Sequence, residues 1–413
     1  MWDERRQDEA SVQRQDQRDQ PADLTAPNTS LMRTGPFNRF QRTLQLGDAS
    51  NPRTTRRALL FAIVSWLPLV ALAGVQRLAI NADPSKSLLL DFTVYTRFLL
   101  AIPLFILGES IAFRRYTMIV NYFVNSGIIA GSERQAYGDL LSDAHGLRNS
   151  RLAEIVWVIL AYAVAAFTVF YRATSEPSTW LVAAGPRLLS LAGAWYAAVS
   201  LPLFQFLFFR SVWSWFIWVL FLWRLSRLHL RLMPTHPDLA GGLNILGDSP
   251  YAIAVFVFAI GSVLSSALVM QILYDAASVV SYKKVFIVFL FLATLISFGP
   301  LLIFTRKLDR LRQRGLRDYG TLASYQTQLF EEKWIRRFGA TEDIVEIPLG
   351  SADFSSLSGL KTSYDTVKKM KFFPFGMRAF IVLALASLIP MAPLILMEFP
   401  LQEVLKAIAG FIL

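Results

Sequence analysis

The sequence predicts an all-α, polytopic membrane protein of about seven transmembrane helices, with its N-terminus in the cytoplasm and a small helical cytoplasmic insertion. Three observations carry this. The 413-residue chain is 54% hydrophobic and only 17% charged, more apolar side chain than a single soluble core needs. The surplus collects in runs of about 20 residues, the length a helix needs to cross roughly 30 Å of hydrocarbon. The arginine pairs and dense basic runs fall on alternate connectors, which the positive-inside rule assigns to the cytoplasm.

Residues 1–52 are rich in Gln, Asp, Glu and Arg. They contain too little apolar surface to offset the entropy of ordering and are expected to form a disordered cytoplasmic tail. No apolar segment of signal-peptide type lies in the first part of that stretch. A six-span bundle is expected over residues 53–305. Arg53, Arg56 and Arg57 stand before the first span, near Ala58 to Ile80. The polar turn NADPSKS leads to the second, near Leu90 to Phe113, which stops at Arg114 and Arg115. Residues 116–150 are expected to form a connector, and the third span runs near Leu152 to Tyr171.

The long apolar run from Leu188 to Trp223 admits two readings. As one helix it would be about 54 Å long at 1.5 Å per residue. As a hairpin, its limb after Arg210 is short for a crossing, and the basic connector 306–376 would move outside. Residues 188–209 are therefore expected to cross, kinked near Pro202, with Arg210 at the cytoplasmic interface. Residues 211–232, carrying Trp213, Trp215, Trp218 and Trp223, would then lie partly in that interface, where Trp is favoured.

A Pro/Gly-rich turn at 234–249 precedes the fifth span, near Tyr251 to Tyr274, and the sixth, near Val285 to Thr305. The cytoplasmic helical region 306–376 follows. There Leu308, Leu311, Leu322, Tyr325, Leu329 and Trp334 recur at near-helical spacing, so the sixth helix should extend beyond the membrane. Residues 377–413 hold the seventh span, near Met377 to Leu396, and an amphipathic segment from Pro400 expected in the outer interface. No internal repeat suggests the inverted halves common in secondary transporters.

Ionisable residues inside spans are costly, and they mark either function or a structural staple. Arg97 and Glu109 lie in the second span, Glu154 in the third and Arg210 at the end of the fourth. Glu109 and Arg210 share a depth near the cytoplasmic face, so they can pair. Arg97, about two turns below the outer surface, is a candidate site for an anionic group or else a paired structural arginine. Arg97, Glu109 and Arg210 are thus the candidate ligand-binding residues. In PTHPDLAGG, Pro234 and Pro237 stiffen a turn, Thr235 or Asp238 can cap it, and Gly241 with Gly242 can form an amide nest for an anion. His236, Asp238, Gly241 and Gly242 are a candidate cytoplasmic turn site, the alternative being a rigid joint between membrane elements.

Several chemistries find no support. There is no cysteine, which excludes disulfides, thiolate metal sites and iron–sulfur clusters. The chain shows no Gly-rich phosphate loop with a following Lys, no GxSxG elbow and no HExxH. Its three histidines, His145, His229 and His236, fall outside the expected spans, against a bis-histidine haem. His236 and Asp238 alone are too few for a metal. No catalytic residue, metal or cofactor is assigned, and an enzyme is disfavoured. The net charge of +11 is ascribed to Lys and Arg facing the cytoplasm and anionic lipid, not to nucleic acid, since no recognition fold accompanies it.

PTHPDLAGGL, and SADF…SLSGL…SYDTVKKMKFFPF at residues 351–375, resemble a family of bacterial polytopic inner-membrane proteins. That family carries a PTHPDxAGGLG-like turn, a SAD…SF/YxxVxxM…PF segment and a terminal PLxxLL-type helix. The likeness spans residues 55–413, with Asn244 where the family pattern has Gly. It implies a multi-pass location in a bacterial inner membrane and brings no activity, ligand or catalytic residue to this chain.

Two function classes follow. One is a transporter or channel-like protein for a small anionic or amphipathic solute bound near Arg97, with Glu109 and Arg210 as an inner gate. The other is a membrane scaffold or signalling protein that binds a cytoplasmic partner through 306–376 and the His-Pro-Asp turn. Membrane lipid is the expected partner of both, and both leave room for a cytoplasmic protein and for a second copy of the chain. The orientation is directly testable. Because the chain has no cysteine, Ser324→Cys supplies a lone thiol in the 306–376 region. A membrane-impermeant maleimide should label it in inverted vesicles but not in intact cells, and labelling in intact cells would reverse the assignment of every connector.

Overall fold

The computed structural model describes residues 51–80, 87–175, 180–182, 189–275, 279–336 and 352–398. The expected N-terminal tail, most of the NADPSKS turn and the segment after Pro400 lie outside those residues. The described chain is helical, and its only extended pairings are two isolated bridges, Ile129 with Leu230 and Val182 with Leu189. Among the described residues seven helices are long and apolar enough to cross a membrane, which makes this an integral membrane protein.

In chain order the helices are α1 (Asn51–Val75), α2 (Phe92–Asn125), α3 (Arg134–Arg148), α4 (Arg151–Ser175) and α5 (Leu191–Leu225). They continue with α6 (Ser249–Asp275), α7 (Lys283–Phe298), α8 (Thr305–Phe330), α9 (Ala352–Lys368), α10 (Met377–Leu388) and α11 (Ala392–Glu398). A tighter 3₁₀ stretch, Gly299–Phe304, joins α7 to α8, so the sixth crossing helix runs on past its apolar portion. Lipid is the solvent for the outer faces. α4 exposes Leu152, Ile155, Ile159, Phe167 and Phe170, and α7 exposes Ile287, Phe291 and Leu295. Soluble monomers do not leave apolar faces of that extent in water. α6 sits at the centre, against α2, α7 and α10. It buries Ala252, Ala254, Ala259, Ser262, Ser265 and Ser266, small residues that let neighbouring backbones approach.

The stretch with two readings is one continuous helix, α5. Its irregularity is a widened π turn, Tyr196–Ser200, directly before Pro202. Proline offers no N–H to the carbonyl four residues earlier, and its ring crowds that carbonyl. The widened turn relieves the crowding, and the Tyr162 hydroxyl donates to the freed Ala198 carbonyl at 3.2 Å, as a backbone group in lipid requires. α2 uses the same device, with a π turn at Thr96–Ala101 before Pro103.

Within residues 211–225 the expected interfacial tryptophans divide: Trp218 is only 3% exposed and stacks on Tyr116 with ring centroids 3.9 Å apart. Helix–helix packing has claimed it. Trp223, with the Arg227 guanidinium over its ring, keeps an exposed face. The connector 116–150 is largely helical: α2 continues to Asn125 and α3 follows.

The PTHPDLAGG turn is the joint between the bundle and the α8–α9 hairpin. Leu239, Gly241 and Gly242 have φ of 58°, 64° and 94°, values tolerated mainly by glycine. A Cβ on Gly241 would lie 2.7 Å from Leu311 Cδ2, and one on Gly242 would lie 2.7 Å from Ile128 Cδ1. Asp238 organises the turn. Its carboxylate accepts the backbone N–H groups of Ala240, Gly242 and Asn244 at 2.8, 3.1 and 3.0 Å, and it lies 2.8 Å from His236 Nδ1. Asn244 opens a 3₁₀ turn without a positive φ, so no glycine is required there. The Lys371 N–H donates to the Leu239 carbonyl at 2.7 Å, tying the turn to the segment after α9.

Burial by itself would raise the Asp238 carboxyl, but the three backbone donors and His236 outweigh it and hold it below the ordinary carboxylate value. A depressed folded-state value stabilises the fold at pH above the unfolded pKa, roughly 3.9, and that contribution is lost as pH falls through the folded value. Asp238→Asn should therefore cost about 1–3 kcal/mol in detergent unfolding at neutral pH. The gap to the unsubstituted protein should close below roughly pH 4. A gap of the same size at pH 3 would show that the carboxylate charge does not organise the turn.

Candidate functional site

Two apolar cores divide the bundle. One gathers Leu69, Phe98, Phe105, Ile106, Ala165, Tyr196 and Leu207. The other, toward the arginine-rich end, gathers Ala112, Tyr116, Trp218, Leu222, Leu308 and, from α3, Tyr137, Leu140 and Ala144. On α2, Glu109 falls between Ile106 of the first core and Ala112 of the second. On α5, Arg210 and Ser214 fall between Leu207 and Ile217. A polar layer therefore occupies the seam.

Glu109 Oε1 is the centre of that layer. It accepts from Arg210 Nη2 at 2.7 Å and from Arg148 Nη2. The Arg148 side chain is only 4% exposed and also donates to Ser214 Oγ, which in turn donates to the Arg210 carbonyl at 2.9 Å. Arg57, from the first turns of α1, lies within electrostatic range of both Glu109 and Arg210, and Glu154 of α4 acts on Arg148. Three helices thus bring an arginine to one largely buried carboxylate on a fourth, and α4 adds Glu154 beside Arg148. The local sequence explains how. Tyr137, Leu140, Ala144 and Arg148 are the buried positions of α3, recurring every three or four residues, so the apolar face that docks α3 on α5 also delivers Arg148 to the seam. Desolvating each ion costs several kcal/mol, so these contacts do little for net stability as a pair; removing one partner, however, strands the other.

The structure brings Glu109 and Arg210 together but leaves Arg97 apart. Arg97 lies twelve residues earlier on α2, about 18 Å away along the helix. It donates to the Tyr196 hydroxyl at 2.9 Å, so the π turns of α2 and α5 are cross-linked through their own residues. His236, Asp238, Gly241 and Gly242 form the joint described above, and the Gly242 N–H is already taken by the Asp238 carboxylate. Near the other end of the bundle, Asp91 caps α2 through the Thr93 N–H at 3.0 Å and receives the Trp180 indole N–H at 3.3 Å, with Arg172 Nη2 3.6 Å away. Among the described residues, no group of three or more His, Asp or Glu is placed to hold a metal ion.

Arg148, Arg57 and Ser214 are the members that sequence reasoning missed. Arg148 lies in the connector between the second and third spans, where the apolar repeat of α3 is the signal that points to it. Arg57 registered only as part of the positive flank of α1. No family model matches the chain, and no curated protein or solved structure matches it.

Glu109→Gln leaves three arginines without their central carboxylate and should cost about 3–5 kcal/mol in chemical unfolding in detergent micelles. Adding Arg148→Gln should recover part of that loss, with a coupling energy of at least about 1 kcal/mol. Simple additivity of the two substitutions would show that the carboxylate and Arg148 do not depend on each other.

Proposed function

We propose that this protein is a transporter or channel-like protein of a bacterial inner membrane, carrying a small anionic or amphipathic solute, with the Glu109–Arg148–Arg210 cluster as its cytoplasmic gate. The observation that carries this reading is the seam itself: a carboxylate and three arginines from separate helices, placed between two apolar cores where a purely structural bundle would bury hydrocarbon. Ionisable residues at such depth characteristically mark a solute or ion route. The paired π turns add support, since broken helices at membrane depth are where transporters commonly hold their ligands. Arg97 at those turns and the cluster about 18 Å further along α2 are two cationic stations on the same crossing helix.

Opening such a gate means exchanging the Glu109 carboxylate for the solute anion on Arg210 and Arg148. Nothing else in the seam needs to move far, because each arginine enters from its own helix. The positive flanks and the PTHPDLAGGL resemblance support the inner-membrane location and the cytoplasmic position of the gate. A scaffold role has one specific observation in its favour: α8 and the turn after it leave Leu322, Tyr325, Leu329 and Ile335 exposed, on a hairpin outside the lipid-facing bundle. The buried charge layer is irrelevant to that role, so passage is the stronger reading.

Reconstituted into liposomes, the protein should move at least one solute from a panel of small carboxylates and phosphates, and Arg97→Gln and Arg210→Gln should each slow uptake by about tenfold or more, the worth of one charged hydrogen bond. No flux and no conductance across the whole panel with the unsubstituted protein would remove the passage reading.

A further inference from the structure

We infer that the seam is a binding site for a phosphate group, held by Arg57 together with Arg210 beside the Glu109 carboxylate. Three features define the ligand. The first is charge. Arg148 and Arg210 contact Glu109 and Arg57 lies within electrostatic range of it, so among these side chains, Glu154 included, the cations outnumber the anions by one. A monoanionic carboxylate is already present in Glu109 and does not use up the arginines. A phosphate group, carrying roughly −1.5 to −2 at neutral pH and several strong acceptor oxygens, is drawn to that excess. The second is an unused donor. Arg57 Nε is buried and has no hydrogen-bond partner, whereas the Arg148 guanidinium is engaged by both Glu109 and Ser214. A buried N–H without an acceptor is costly, and a ligand oxygen would satisfy it. The third is the choice of residue. All three cations are arginine, whose planar fork of donors fits the oxygens of a phosphate two at a time, where lysine presents only a point charge.

The surroundings suit the same ligand. One turn along α4 from Glu154 and one turn along α5 from Arg210, Trp157 and Trp213 pack with ring centroids 5.8 Å apart, and the indole N–H of each is buried without an acceptor. They supply further donors at the edge of the layer, next to the lipid-exposed face of α4. The phosphate can therefore come from a soluble phosphate compound or from the headgroup of an anionic lipid; the recognition chemistry is the same. The inference rests on the passage reading for the site's purpose and deepens it by naming the ligand class. Binding can be measured with no gradient and no flux, so a failure of binding and a failure of passage give different results.

The test uses the full chain in nanodiscs of zwitterionic lipid, with Arg57→Gln and Arg57→Lys as variants. Neither variant touches the contacts among Glu109, Arg148 and Arg210, so both should fold, as a retained thermal transition would show. In one arm, inorganic phosphate is titrated calorimetrically with chloride at equal concentration as the control. In the other, phosphatidic acid is added to the nanodisc lipid and the thermal transition is followed. Saturable phosphate binding, weakened at least tenfold by Arg57→Gln and only partly restored by Arg57→Lys, supports a soluble ligand. Stabilisation by phosphatidic acid that is lost in Arg57→Gln, with no response to free phosphate, supports a lipid headgroup. No response in either arm, a response equalled by chloride, or one unchanged in Arg57→Gln would overturn the inference.

Discussion

A carboxylate on a membrane-crossing helix commits the whole fold to supplying cations at its depth. Glu109 cannot face lipid as an anion, and burying it unpaired would cost several kcal/mol. The bundle meets that demand from three directions: α5 supplies Arg210, α3 returns Arg148 and α1 brings Arg57 within range. Docking α3 against α5 is therefore more than the packing of a surface helix, because Arg148 can reach Glu109 only when Tyr137, Leu140 and Ala144 are seated. The arrangement leaves more positive than negative charge in a buried layer.

The second constraint is that lipid offers no hydrogen bonds to the backbone. Pro103 and Pro202 each withdraw a donor inside a crossing helix, and the chain responds with π turns whose residues then bond to one another. Arg97 reaches Tyr196 across the two turns, Tyr162 answers the Ala198 carbonyl, and Ser200 donates to the Ser65 carbonyl of α1 at 2.6 Å. Proline placement, backbone repair and the lining of the bundle are thus one problem with one solution. Outside the lipid-facing bundle the same logic appears in the Asp238 turn, where a carboxylate takes over donors that the left-handed turn would otherwise leave open.

Legibility in the sequence followed the length scale of the signal. Spans of some twenty apolar residues are unmistakable because their period and length are imposed by the bilayer, and all seven crossing helices stand where apolar runs predicted them. Glu109 and Arg210 were findable as a pair because each sits inside such a run and depth alone relates them. Arg148 was hidden because its position depends on the docking of α3, and an amphipathic helix of fifteen residues between charged turns carries a weaker signal than a span. Trp218 was misplaced for a related reason. Indoles are enriched both in interfaces and in cores, and only the neighbour, Tyr116, decides between them. The glycine pair offers both a nest and a rigid joint in sequence, and the joint wins because Asp238 supplies the acceptor for the Gly242 N–H.

The account depends most on Glu109 being enclosed by arginines from different helices while the protein sits in lipid. A cryo-EM map of the protein in lipid nanodiscs, resolved to side chains around the seam, measures this directly. The account predicts continuous density from the Glu109 carboxylate to both Arg148 and Arg210, with α3 seated against α5. A Glu109 side chain turned to lipid or water, with Arg148 more than a contact distance away, would contradict it.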